Sequence, residues 1–153
     1  MTTDLEVQYA IGNDNLPTEF QIQAWVDITL AQYLQHFSIC VRIVDETESQ
    51  SLNGEYRGIH KPTNVLSFPF EMPECVEAET EILGDLVVCA AVVSHEALAQ
   101  NKQLFDHWAH MIIHGTLHLL GFDHIKEEEA LEMEQLERDL LTKLTISDPY
   151  KEN

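Results

Sequence analysis

The sequence predicts a single α/β domain whose elements follow one another in the order βαβαββααα. Its 153 residues suit one domain. The composition, 44% hydrophobic and 23% charged, is that of a globular protein with a buried core, and no repeat or linker divides the chain. Because helical stretches separate the first three strand-like runs, we expect crossover connections and some parallel pairing.

Four short apolar runs predict the strands. They cover residues 5–9, 39–43, 65–70 and 82–89, and in the first two apolar residues alternate with polar ones. The stretch 71–81 between the last two strands is acidic and contains proline, so we expect a flexible excursion there.

Five stretches with apolar residues at helical spacing predict the helices. The first begins at a capping box of Thr18 and Gln21 and is predicted over residues 18–37, and the second follows Asp45 and runs to about residue 56. The others are predicted over residues 92–100, 104–120 and 127–144. In the last helix we expect four leucines to face inward: Leu131, Leu136, Leu140 and Leu144.

The chain is strongly acidic, with a formal net charge of −19. Such a charge repels nucleic acid, so a polyanionic substrate would need a local basic patch or a metal ion. The candidate patch contains Arg57, His60 and Lys61, where a guanidinium offers the paired donors that suit phosphate oxygens. The carboxylates of the last helix form either a solvated surface or a contact for basic proteins: Glu127, Glu128, Glu129, Glu132, Glu134, Glu137 and Asp139.

The N-terminus lacks the basic and apolar segments of a secretory signal, and no apolar run reaches about 18 residues. We therefore expect a soluble cytoplasmic protein that does not engage a membrane. The three cysteines, Cys40, Cys75 and Cys89, are odd in number and far apart, which predicts reduced, mostly buried thiols.

One face of the predicted helix 104–120 is made of imidazoles. His114 and His118 lie one turn apart, so both can bind one ion, and the chain reversal expected at Gly121 brings His124 back as a third ligand. Random placement of the histidines would give this spacing only about 0.02 times. His107 and His110, earlier on the same face, are either structural histidines, supports for the ligands or substrate contacts.

Three imidazoles leave one coordination position of a zinc ion open, which is typical of catalytic rather than structural sites. The spacing also resembles zinc peptidases of the H-E-x-x-H-x-x-G-x-x-H kind. Gly115, however, stands where those peptidases carry their glutamate base, which speaks against proteolysis. Asp123 is expected either to orient a ligand imidazole or to cap the last helix.

The run from His114 to His124, H-G-T-L-H-L-L-G-F-D-H, resembles the signature H-G-x-L-H-L-x-G-x-D-H of the bacterial YbeY endoribonuclease family. Three upstream segments are similar to that family as well: residues 56–58, 61–69 and 83–85. One departure is Asn64, which stands where we expect the family to favour aspartate; an amide cannot act as a base, so no catalytic role is assigned to it.

The resemblance implies a four-stranded mixed sheet flanked by helices. It also implies one domain over residues 1–153 that binds one zinc ion per chain and cleaves single-stranded RNA during ribosomal RNA maturation, notably at the 3′ end of 16S RNA, and in ribosome quality control. Arg57 and His114 are then the catalytic residues, His114, His118 and His124 the metal ligands, His60 and Lys61 backbone contacts, and His110 and Asp123 supporting residues. The implied partner is the small ribosomal subunit with its proteins, and no DNA is expected. If the acidic surface of the last helix is a contact, a ribosome-associated GTPase is another candidate partner for it.

Two rival hypotheses stay open at this point. One is a zincin-like metalloprotease, against which Gly115 argues. The other is a non-enzymatic ribosome-assembly factor with a structural zinc, against which the open coordination position argues.

Overall fold

The computed structural model describes residues 3–12, 15–70, 80–123 and 126–150. These residues form four strands and five helices in the predicted order: β1 (Asp4–Tyr9), α1 (Glu19–Leu30), β2 (His36–Val44), α2 (Glu46–Arg57), β3 (Val65–Pro69), β4 (Thr80–Cys89), α3 (Ala90–Ala99), α4 (Leu104–Leu119) and α5 (Glu127–Lys143). Within this part of the chain, no helix combines the length and the hydropathy needed to cross a membrane.

The strands form one mixed sheet in the order β1-β2-β4-β3. β1 pairs parallel to β2, with Leu5 opposite Ile39, and β2 pairs parallel to β4. β3 is the edge strand and runs antiparallel to β4. The α/β class, the mixed sheet and the crossover through α1 between parallel neighbours are therefore confirmed.

Apolar side chains cover both faces of the sheet. On one face, Val65, Leu86 and Val88 belong to the main core together with residues of α1, α4 and α5. Their chain neighbours Leu66 and Val87 point to the opposite face, where they form a smaller cluster with further residues that include Leu52 of α2. α4 lies in the main core with most of its circumference buried, as its apolar pattern predicts.

The first helix is shorter than predicted. The capping box of Thr18 and Gln21 is present, but α1 ends at Leu30 instead of continuing to residue 37. Phe37 is 4% exposed because it faces the core from β2, whereas Leu34 is 90% exposed. Tyr33 packs against Phe37 across the turn after α1, with ring centroids 5.9 Å apart. Because these two apolar residues are also four positions apart in the sequence, their spacing fits a longer helix that the structure does not contain.

In α5 the buried stripe is displaced from the predicted one. Met133 and Leu141 are fully buried, whereas Leu131 is 58% exposed, so its inward placement was wrong. The other three leucines are partly buried against the core.

Two further expectations fall partly outside the described residues. Residues 71–79 of the predicted excursion lie outside them, and residues 80 and 81 belong to β4. Cys89 is buried, Cys40 is partly buried and both are free thiols, while Cys75 lies outside the described part.

Candidate metal centre and RNA cleft

Gly115 allows α4 to approach the sheet closely. A Cβ atom at this position would lie 2.8 Å from Cδ2 of Leu86 and 3.2 Å from Cγ2 of Val65. The Ser67 hydroxyl also donates a hydrogen bond to the Gly115 carbonyl, at 3.1 Å, which ties β3 to the helix. This position therefore faces the core, and the packing leaves no room for the glutamate of a zinc peptidase.

The face of α4 next to Gly115 presents His114 and His118, whose Nε2 atoms lie 3.2 Å apart. The Nδ1 atom of His114 faces the Glu137 carboxylate at 2.5 Å, and that of His118 faces the Phe122 carbonyl at 2.9 Å. Carboxylate and carbonyl oxygens only accept hydrogen bonds, so these partners assign the proton to Nδ1 in both rings. In neutral rings with this tautomer, both Nε2 atoms carry a lone pair.

Two lone pairs at this separation repel unless a proton or a cation lies between them. Two nitrogens bound to one zinc ion at 2.0–2.1 Å in tetrahedral geometry are about 3.3 Å apart, close to the observed separation. The donor set therefore fits a metal ion at the Nε2 atoms. His124, the third ligand expected from the sequence, lies outside the described residues.

A second group of side chains could also hold a metal ion. The ligand atoms of His110, His114 and Glu137 all lie within 4.8 Å of one another. In this group, however, the Glu137 oxygen and the His114 Nδ1 are at hydrogen-bond distance. The two groups share His114, which offers Nε2 to one and Nδ1 to the other.

Arg57 lines the same cleft as His114 and His118. The cleft has a volume of about 490 Å³, and its wall includes residues of β3 and the turn after α4. Gly58, with φ +72°, ends α2 in the left-handed conformation and leaves Arg57 exposed in its last turn. Arg57 forms no ion pair with a described carboxylate, whereas the other two arginines pair with Glu48 and Asp148.

Of the other predicted site residues, one lines the cleft and two do not. Asp123 lines the cleft, and its role, as a support for a ligand imidazole or as a cap of the last helix, stays a prediction. His60 packs against Gly54 and lines a separate hollow beside α2. Lys61 is exposed, and its carbonyl accepts a hydrogen bond from Asn53 at 2.8 Å. Neither His60 nor Lys61 lines the cleft, and their proposed backbone contacts stay a prediction.

His107 and Asn64 meet at one carboxylate. Glu96 of α3 lies 3.0 Å from His107 Nε2 and accepts a hydrogen bond from the Asn64 amide at 3.1 Å. Asn64 also lines the cleft. Burial lowers the pKa of His107 more than its hydrogen bond to Glu96 raises it. The ring of His107 therefore has a structural partner away from the ligand pair.

The prediction for Glu137 was wrong. It was expected among the carboxylates of the last helix that form either a solvated surface or a contact for basic proteins, but its side chain is fully buried and contacts His110 and His114. Its spacing of four residues from both Met133 and Leu141 could have indicated the buried face. Tyr56, which lines the cleft beside Arg57, was also not predicted.

The family model described as endoribonuclease YbeY matches residues 8–145. The endoribonuclease YbeY of Pseudoalteromonas translucida (strain TAC 125) is 52% identical over 152 residues, which cover 99% of each chain. The solution structure of TM1509 from Thermotoga maritima matches with a TM-score of 0.58 and 24% identity, covering 97% of this chain and 99% of that one, and supports the fold. The chain therefore belongs to the YbeY endoribonuclease family.

Proposed function

We propose that this chain, as one domain over residues 1–153, is a zinc-dependent endoribonuclease that cleaves single-stranded RNA. Membership of the YbeY family supports the reaction class. The observation that carries the proposal is the shared cleft: Arg57, which forms no ion pair with a described carboxylate, lines it together with His114 and His118, whose Nε2 atoms lie 3.2 Å apart.

His114 and His118 hold the ion in this proposal, with His124 as the third ligand. A divalent ion there would act as a Lewis acid on a phosphodiester oxygen or activate the attacking nucleophile. Zinc is favoured because the two described ligands are imidazoles whose Nε2 atoms lie at the spacing of a tetrahedral site. The Glu137 carboxylate and the Phe122 carbonyl favour in both rings the tautomer with the proton on Nδ1 and the lone pair on Nε2.

Arg57 binds the phosphate and stabilises the negative charge that develops as the bond breaks. Its planar donors can contact two phosphate oxygens at once, which a lysine ammonium cannot do with the same geometry. Because Arg57 has no described carboxylate partner, docking of a phosphate need not break an ion pair. A local guanidinium and a cation together offset the repulsion expected from a net charge of −19.

The preference for unpaired RNA rests on Tyr56. Its side chain is 54% exposed at the cleft, and its ring lies 4.5 Å from that of Phe68 between centroids. An aromatic ring beside a phosphate site offers a stacking surface for a base that is not held in a duplex. Tyr56 can therefore bind an unpaired base while Arg57 holds the adjoining phosphate.

The substrate in the cell is proposed to be ribosomal RNA, at the 3′ end of 16S RNA, with a further part in ribosome quality control. The sequence resemblance to the YbeY family supports this assignment. A strongly acidic chain should bind free RNA weakly, so docking on the small subunit would supply affinity. The exposed carboxylates of α5, such as Glu128 and Glu132, are suited to basic ribosomal proteins or a ribosome-associated GTPase. The same proposal implies a cytoplasmic location.

The activity is tested by incubating the zinc-loaded protein with single-stranded RNA, the matching duplex and casein, with and without a chelator. We expect cleavage of the single strand only, lost with chelator and restored by zinc. A matched Arg57→Lys variant controls for contaminating nuclease, because it should be slower while a contaminant would not change. Cleavage of casein, or an RNA cleavage rate that the chelator does not lower, would overturn the proposal.

Docking is tested separately by co-sedimentation with small ribosomal subunits at physiological salt. We expect binding to subunits to exceed binding to naked RNA. A protein that binds naked RNA tightly and does not co-sediment with subunits would refute docking.

A further inference from the structure

The Glu137 carboxylate is fully buried and has no lysine or arginine partner among the described residues. A buried carboxylate is costly unless several donors satisfy it. Its oxygen Oε1 faces His114 Nδ1 at 2.5 Å and His110 Nε2 at 3.3 Å. The oxygen Oε2 accepts a hydrogen bond from the Tyr150 hydroxyl. Two imidazoles and a hydroxyl thus surround this buried carboxylate.

These contacts assign the donors and the acceptor by geometry. The Nδ1 atom of His114 and the Tyr150 hydroxyl both lie at hydrogen-bond distance from oxygens of the Glu137 carboxylate. A carboxylate oxygen accepts hydrogen bonds, so the Tyr150 hydroxyl and the Nδ1 proton of His114 are the donors.

Tyr150 is fixed in place by the segment that follows α5. The Asp148 carboxylate accepts hydrogen bonds from Arg138 Nε at 3.1 Å and from the Tyr150 backbone N–H at 2.9 Å. The Arg138 guanidinium lies 5.2 Å from the Tyr150 ring centroid, and the ring contacts His110 edge to face at 5.5 Å. The chain after α5 thus folds back over the buried carboxylate.

We propose that Glu137 and Tyr150 are positioning residues that lock the His114 ring so that Nε2 faces the metal ion. Tyr150 orients the carboxylate, and the carboxylate fixes the tautomer and the plane of the ring. The inference rests on the proposed function, because it assumes that His114 and His118 hold zinc. It assigns Glu137 to the support of a ligand, whereas the group of His110, His114 and Glu137 would make it a ligand itself.

The expected effect is a graded loss of zinc affinity. Removal of a hydrogen-bond partner of a ligand histidine commonly lowers metal affinity about 10–100-fold. Glu137→Gln keeps the size and one acceptor oxygen but loses the charge, so we expect about a tenfold loss. Tyr150→Phe removes only a hydroxyl that contacts Glu137 and not His114. We therefore expect a smaller loss of zinc affinity, of a few fold. Glu132→Gln, at an exposed carboxylate on the same helix, is the matched control and should not change the affinity.

Zinc affinity is measured on the full chain by competition with a chromophoric chelator, with the metal-free unfolding midpoint as a second readout. The inference is supported if zinc affinity falls by more than the change in metal-free stability can explain. A structural role alone would move only the unfolding midpoint. In nitrogen-edited NMR spectra, the Nδ1 proton of His114 should be protected in the parent protein and exchange faster in Glu137→Gln.

The possible results distinguish a failure of the proposed metal centre from a failure of the positioning role of Glu137 and Tyr150. If the parent binds no zinc, the proposed metal centre fails and the inference fails with it. If the parent binds zinc and cleaves RNA, but Glu137→Gln and Tyr150→Phe bind zinc as tightly, only the inference is overturned. If Glu137→Gln abolishes binding while His118→Ala leaves it intact, Glu137 is a ligand and the positioning role is wrong.

Discussion

A side chain at Gly115 should destabilise the protein, since this glycine sets the distance between α4 and the sheet. The Cβ atom of alanine would lie 2.8 Å from Cδ2 of Leu86 and 3.2 Å from Cγ2 of Val65. Unstrained carbon contacts are about 3.5–4.0 Å. Leu86 is fully buried and Val65 is 9% exposed, so neither can move into solvent.

Two opposing effects determine how much Gly115→Ala changes the free energy of unfolding. Overpacking of a core commonly destabilises a protein by about 1–3 kcal/mol, whereas replacing a helical glycine with alanine stabilises the helix by about 1 kcal/mol. For Gly115→Ala we therefore expect a net loss of about 1 kcal/mol in the free energy of unfolding. Gly115→Glu adds the burial of an unpaired charge and should lose more than about 3 kcal/mol.

The free energies are measured by urea denaturation of metal-free protein, followed by far-UV circular dichroism and linear extrapolation. Gly12→Ala is the control, because no described atom lies within 4 Å of a Cβ there and its φ is ordinary. That control should stay within about 0.5 kcal/mol of the parent. A Gly115→Ala protein more stable than the parent would refute the close packing of α4. A stable Gly115→Glu protein that digests casein would revive the metalloprotease hypothesis.

Three other predictions concern the cleft and the histidine face. Arg57→Ala should lower the single-turnover rate of RNA cleavage about 10²–10³-fold while zinc affinity stays the same; an unchanged rate would remove Arg57 from the reaction. Tyr56→Leu should weaken the binding of single-stranded RNA to metal-free protein by about 1–3 kcal/mol in a fluorescence anisotropy titration, whereas Tyr56→Phe should not; equal affinities would exclude stacking. The lowered pKa of His107 means that the unfolded chain, with a pKa of about 6.5, takes up the proton more readily, so stability falls as the pH drops below that value. His107→Gln should flatten this fall in urea titrations at several pH values, and an unaltered slope would contradict the assignment.

The sequence predicted the elements well where local chemistry determines them. The capping box at Thr18 and the glycine after Leu120 mark element ends that the structure reproduces. The end of α1 could not be found in the same way, because Phe37 continues the helical spacing while it faces the core from a strand. Periodicity records which residues are buried, and it does not distinguish two elements that share a core.

Only the part of the candidate site that lies on α4 was predictable from local sequence. His114 and His118 lie one turn apart on one helix, so their convergence follows from helical geometry. Glu137 reaches them from another helix, 23 residues later, and nothing local in a run of glutamates marks the one that is buried. Apart from the family resemblance, Arg57 could be singled out only because basic residues are scarce in an acidic chain, and its place in the cleft depends on the packing of α2 beside β3.

The central claim is that the ion held by His114 and His118 is required for RNA cleavage. It is tested most directly by titrating zinc into chelator-stripped protein and measuring the single-turnover cleavage rate of a single-stranded RNA. We predict a rate near zero without metal that rises and saturates at about one zinc ion per chain, and no recovery for His118→Ala at the same zinc concentrations. Full cleavage by the stripped protein, or an undiminished titration curve for His118→Ala, would contradict the claim.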